Sequence, residues 1–269
     1  MNIDRAFFDA IERAEVHGLG RCIANAQARF PHVQPAVEEI GGGIAAFAGP
    51  ESPISEAHGI GIWDSAGRKE AEAVTAFYRE RGAPPRVRLS PQADPAFGSA
   101  LAELGYVPMG YENALAADLV AIAAKRDPRV TEMRDPQAWS AATGSAFLDG
   151  AACTEADILI GLMVCTPPDS TALEIRVDGR IVASGCMDVQ GEIAGFYGAA
   201  TAPEFRGRGF QSALIADRAA RAVERGARFG RVTARLGTTS EQNLRRIGFV
   251  PLYTRTLWGI PCSDSASEL

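Results

Sequence analysis

One short passage occurs twice in this sequence. "LAELGYVPM" at residues 101–109 and "LRRIGFVPL" at 244–252 share a helix end, a glycine, an aromatic, Val-Pro and a large aliphatic residue, at a constant offset of 143. Continuing upstream, "AGRKEAEAVTAFYRERG" (66–82) falls opposite "GFQSALIADRAARAVERG" (209–226). Each is a helical run closed by a glycine suited to the left-handed C-cap. Between them, "PRVRLS" (85–90) and "GRVTARL" (230–236) alternate basic and apolar residues at strand period. The chain is an internal duplication, and each half reads strand, helix, strand, helix, strand.

The remaining segments predict two mixed sheets. In the first half, residues 4–30 are helical with a break near Gly18 and Gly20, and 37–47 and 58–63 read as strands. In the second, 129–134 is a short strand, 136–148 and 155–164 are helical, and 171–177 with 181–189 form a hairpin across Asp178-Gly179, a strong turn signal. A further strand covers 192–201. Charge and proline interrupt the pattern at about 119–128, which places the division between the halves there.

Composition narrows the function. Hydrophobic residues make up 46%, enough for real cores, and the net charge of −6 argues against a broad phosphate-binding surface of the kind that holds nucleic acid. Any anion site must be local. Five cysteines without a CxxC pair suit a reduced, cytoplasmic chain. The first residues have amphipathic rather than signal-peptide spacing, and no stretch approaches the roughly 20 apolar residues of a membrane span.

One such local site is written in "TAPEFRGRGFQSALI" (201–215). A strand ends, glycines at 207 and 209 permit positive φ and close approach, and a helix starts at about Phe210 with N–H groups that no intrahelical carbonyl can satisfy. The helix N-terminus with Arg206 and Arg208 suits a diphosphate. Neither GxxxxGK[ST] nor a GxGxxG with its later acidic residue is present, so the common nucleotide turns do not apply.

Arg206-x-x-Gly209-x-Gln211 resembles the R/Q-x-x-G-x-G/A signature of the GNAT superfamily of acyl-CoA-dependent N-acetyltransferases, with Gln211 departing from the usual small residue. The strand before it and "RRIGF" after it resemble the same family across roughly 128–260. The implied fold is α/β (α+β), two tandem GNAT-like domains, each a mixed, mostly antiparallel twisted sheet flanked by helices. Residues 1–122 form a degenerate domain without a phosphate loop, since Trp63-Asp64-Ser65-Ala66 stand opposite the arginine–glycine turn. Residues 123–262 form an acetyl-CoA-binding domain, and 263–269 a disordered tail.

By this resemblance, Ala199, Ala200 and Thr201 pair with the pantetheine arm of acetyl-CoA. Gly207, Arg208, Gly209, Phe210, Gln211 and Ser212 hold the pyrophosphate, with Arg206 beside them, and Asn243 lies near a pantetheine amide. No metal is called for. The implied reaction is direct attack by a primary amine of a small molecule or peptide, with neither nucleic acid nor membrane as partner and a homodimer allowed. The family's usual proton donor position is Leu244 here, so Tyr253 and Tyr197 are candidate acids and Glu192, with Asp188 behind it, the candidate base. For both carboxylates a solvated hairpin acid is the competing reading, and for each tyrosine a packed aromatic. Ser240 reads as the cap of the last helix, and Cys186 as a buried thiol. The missing tyrosine also keeps open a non-catalytic acyl-CoA-binding or regulatory module.

Overall fold

Apolar residues three and four apart through the first thirty positions make one helix, α1 (Arg5–Arg29), in the computed structural model, which describes residues 3–123 and 126–261. The tail at 263–269 lies outside the described residues. The expected break at Gly18 and Gly20 is absent. Gly18 serves close packing instead, since a Cβ there would stand 3.1 Å from Arg231 Nη2.

After α1 come β1 (Ala36–Ile40), β2 (Gly43–Phe47), β3 (Ala57–His58), α2 (Arg68–Arg79), β4 (Arg86–Leu89), α3 (Pro95–Glu103), β5 (Val107–Asp118) and the short α4 (Leu119–Ile122). The second repeat supplies β6 (Val130–Glu132), α5 (Pro136–Phe147), α6 (Glu155–Cys165), β7 (Thr171–Val177), β8 (Arg180–Gln190), β9 (Ile193–Thr201), α7 (Phe210–Glu224), β10 (Phe229–Arg235), α8 (Thr239–Ile247) and β11 (Val250–Gly259). The elements α2, β4, α3 and β5 begin at 68, 86, 95 and 107, and their counterparts α7, β10, α8 and β11 at 210, 229, 239 and 250. The repeat read from sequence is thus kept element by element.

Two of the expected strands are shorter than predicted, and glycine is the reason in both. The segment 37–47 is a hairpin, β1 against β2, turning at Gly41 and Gly42 with φ of 53° and 77°. The segment 58–63 leaves the sheet after His58, because Gly59 and Gly61 both take the left-handed conformation. The last helix is capped by Thr238, whose hydroxyl accepts from Glu241 N–H at 3.3 Å. Ser240 lies inside α8 and does not cap it.

The chain forms two compact units, and each draws on both repeats. One comprises residues 26–113 with the described residues from Tyr253 onward, and its strand order is β1-β2-β3-β4-β11-β5. Its core gathers Phe77, Tyr78, Phe97, Leu101 and Tyr106, with Trp258 of β11 packed against them. The other comprises the described residues up to Asn25 with 114–252, and its order is β5-β10-β9-β8-β7-β6. In it Met187, Phe196, Ile215, Leu244 and Phe249 share a core with Leu115 of β5. A fully buried Ile215 contributes about 1.5–3 kcal/mol by transfer from water. The division expected at 122/123 follows the repeats, whereas the compact units exchange their closing strands. β4 pairs antiparallel with β11 (Thr256 opposite Leu89, Gly259 opposite Arg86), and β10 lies beside β5. Among the described residues no helix is long and apolar enough to cross a membrane.

Candidate functional site

The site is built where β9 leaves its parallel neighbour. β9 and β10 pair with Ile193 opposite Phe229, Ala194 opposite Gly230 and Gly195 opposite Arg231. Past that third pair the strands part. On its other edge β9 carries a bulge: Ser184 of β8 faces Ala200 and Cys186 faces Tyr197, so Gly198 and Ala199 together oppose Gly185. Gly198 takes a φ of 59° to make it. Across from the bulge, the buried Arg218 guanidinium donates to Cys186 O at 3.1 Å and lies 4.8 Å from the Phe196 ring, which fixes β8 there. Burial lowers its pKa to about 10.

At the open end of β9 the chain turns through Gly207 (φ 75°) and Gly209 (φ 78°) into α7. No side chain caps this helix, and a Cβ added at either glycine would meet nothing within 4 Å. The N–H groups of Phe210, Gln211 and Ser212, in the first turn, therefore have no intrahelical acceptor, and the two glycines beside them border open space. Thr201 Oγ1, just before the turn, is buried without a hydrogen-bond partner. Such a cradle fits a diphosphate, and an unsatisfied hydroxyl beside a strand with free main chain fits an extended amide-bearing arm.

The two arginines contribute less than the sequence suggests. Arg206 is held by Asp149 at 2.7 Å and donates to Ala146 O and Thr201 O, and so braces the turn against α5. Arg208 donates to Glu204 O at 3.1 Å and lies over the Phe205 ring. What this turn offers an anion is therefore its main-chain N–H groups, since both guanidinium groups already have partners.

In the first repeat the corresponding groups already have anionic partners. Gly67 N–H donates to Glu70 Oε2 at 2.9 Å, and Ala66 N–H to Asp94 Oδ2 at 3.4 Å. The bond from Gly67 draws the Glu70 carboxyl below its ordinary value. A phosphate there would have to displace the protein's own carboxylates.

The remaining candidates are scattered. Tyr197 lies on β9 past the split, but its hydroxyl is 2.9 Å from Ser170 Oγ, and burial raises its pKa well above the usual value. Glu192 is exposed at the closed end of the β9–β10 pair, on a cavity of about 410 Å³ with Phe7, Arg13, His17 and Phe229. Tyr253 belongs to the other compact unit, where its hydroxyl accepts from Arg255. Asn243 accepts from Arg246 Nη1 at 2.9 Å on α8. Leu244, at the family's tyrosine position, is a core residue. Cys186 is fully buried and its thiol is pushed up by that burial. Among the described residues no three His, Cys, Asp or Glu side chains come together to hold a metal.

Sequence reasoning missed what α1 brings to this face. Arg21 donates to Asp188 Oδ2 at 2.5 Å, and Gly195 N–H to Asp188 Oδ1 at 3.1 Å, so Asp188 is a buried, paired carboxylate rather than a solvated one. Thr233 Oγ1 donates to Glu15 Oε1 at 3.2 Å, and Arg231 Nη2 to Ala14 O at 3.1 Å. The available signal was the row Ala14, Gly18 and Cys22, small residues at i+4 spacing that let a helix approach a sheet closely.

No protein-family model matches the sequence, and no curated protein matches it. Solved structures do. A GCN5-related N-acetyltransferase from Kribbella flavida is 20% identical with a TM-score of 0.62, over 91% of this chain and 97% of that one. A GNAT-family acetyltransferase from Novosphingobium aromaticivorans DSM 12444 is 19% identical with a TM-score of 0.55, over 91% of this chain and 100% of that one. A tandem GNAT protein from the clavulanic acid biosynthesis pathway is 12% identical with a TM-score of 0.53, over 91% of this chain and 89% of that one. The chain therefore carries the GNAT acetyltransferase fold, in tandem.

Proposed function

We propose that the unit containing 114–252 binds acetyl-CoA and transfers its acetyl group to a primary amine of a small molecule or peptide, by direct attack in a ternary complex. The observation that carries this reading is the uncapped start of α7 behind Gly207 and Gly209, next to a β9 whose main chain has left β10. The N–H groups of residues 207–212 would hold the pyrophosphate, and 199–201 the pantetheine arm, with Asn243 beside it. A main-chain N–H at the bulge would stabilise the developing oxyanion. The departing sulfur takes its proton from Tyr197, once its hydroxyl leaves Ser170, or from solvent. Tyr197→Phe separates these, because kcat falls only in the first case.

Calorimetry with acetyl-CoA, followed by thiol release across a panel of amines, tests the proposal. Absence of binding would refute it. A second reading, a non-catalytic acyl-CoA-binding module, is favoured by Leu244 in the core and by the tie between Tyr197 and Ser170. It predicts binding without turnover on any amine.

A further inference from the structure

We propose that Glu15 of α1 is the general base of the transfer, taking a proton from the acceptor ammonium at the mouth of the β9–β10 split. The proposal rests on the reading of the α7 turn as an acetyl-CoA site. β9 and β10 stay paired through Gly195 and Arg231, and Thr233 is the next β10 residue on the same face as Arg231. That face is the one α1 crosses, since Arg231 Nη2 donates to Ala14 O. Glu15 Oε1 accepts from Thr233 Oγ1 at 3.2 Å, and Glu15 Oε2 lies 3.9 Å from Arg231 Nη1, with the carboxylate side chain 11% exposed. A carboxylate is thereby positioned from a helix backbone just beyond the last strand pair.

The other acids of this face are less suited. Asp188 is closed off by Arg21 and by Gly195 N–H, and Glu192 stands at the closed end of the strand pair. The titratable and charged groups on the surrounding elements include Glu12, Arg13, His17 and Arg21 on α1, Asp188 on β8, Arg231 and Arg235 on β10, and Asp118 at the end of β5, two residues past Ala116, which shares a cluster with Ala14.

An alkylamine is an ammonium ion at neutral pH and has to lose two protons to become an amide. In the proposed step Glu15 accepts the first, and the freed nitrogen lone pair forms the C–N bond to the acetyl carbon. The C–S bond breaks with its electron pair going to sulfur, which is protonated by Tyr197 or solvent, and the second nitrogen proton passes to that donor and restores it. Glu15 then releases its proton to solvent.

The test compares phenethylamine with hydroxylamine, which is unprotonated at neutral pH, in the full chain and in Glu15→Gln, Glu15→Asp and Thr233→Val. Calorimetric affinity for coenzyme A should be unchanged within about twofold in all three. Glu15→Gln should lower kcat for phenethylamine by roughly 10²–10⁴-fold and abolish the acid limb of its pH profile, while sparing hydroxylamine. Glu15→Asp should keep the limb, and Thr233→Val should lower kcat with KM for acetyl-CoA unchanged, which decides the matter should Glu15→Gln fail to fold. Equal losses on both acceptors, or an unchanged pH profile, overturn the proposal. A wild-type chain that does not bind coenzyme A removes the underlying reading first, and one that binds acetyl-CoA yet acetylates neither probe overturns the assignment of Glu15.

Discussion

Replacing Gly209 with valine separates backbone strain from ligand binding. Gly209 has a φ of 78°, and an added Cβ would meet nothing within 4 Å, so crowding is not the cost. The left-handed backbone is, at about 1–2 kcal/mol for a side-chain-bearing residue. Gly226, just beyond the other end of α7, offers a matched control with a φ of 88° and equally open surroundings. Valine at either position should lower stability by that same amount in urea titrations. Only at 209 does relief of the strain turn the N–H groups of the anion cradle. Loss of two charge-assisted hydrogen bonds, each about 1.5–3 kcal/mol, corresponds to a roughly 10²–10⁴-fold weaker affinity for coenzyme A. Calorimetry reads it directly. Wild-type affinity in Gly209→Val, or equal weakening in Gly226→Val, would refute the reasoning.

Three further outcomes are expected. Burial raises the Glu56 carboxyl, but Arg88 at 2.7 Å and His58 at 3.1 Å outweigh it and bring the pKa from 4.5 to about 2. A lowered pKa contributes stability above the unfolded value that is lost as pH falls from about 4.5 towards 2, on the order of 3 kcal/mol, and Glu56→Gln should flatten the urea midpoint across that window. Gly195→Ala places a Cβ 2.3 Å from Asp188 Oδ1, so it should destabilise the chain by roughly 1–3 kcal/mol in urea titrations, and a neutral effect would contradict the packing. A chain ending at Phe249 lacks β11, so limited proteolysis should cut first within residues 26–113, whose β4 has lost its antiparallel neighbour; first cuts within 126–235 would count against the exchanged pairing.

What could be read from the sequence was whatever both repeats write in local code. The helix–strand–helix–strand order at a nearly constant offset was legible because periodicity and C-capping glycines act over a few residues. The α7 turn was legible because two glycines before an apolar helix restrict what the backbone can do. Gly18 misled for the opposite reason: its role in α1 is set by Arg231, more than two hundred residues away, and a long-range contact leaves no local mark. Asp188 looked like a solvated hairpin acid because its partner Arg21 comes from α1.

The exchange of β5 and β11 lies beyond any local signal, and the duplication itself explains why. "GYVPM" and "GFVPL" open the two closing strands with nearly the same pattern, so either strand offers β4 or β10 an equivalent edge. Local propensity cannot rank two partners that look alike. The choice has to come from what each strand buries: Trp258 of β11 packs with the Phe77 and Phe97 cluster, and Leu115 and Ala117 of β5 with Phe249 and Met187. Residues that differ between the copies therefore decide the pairing, while residues that match reveal the duplication.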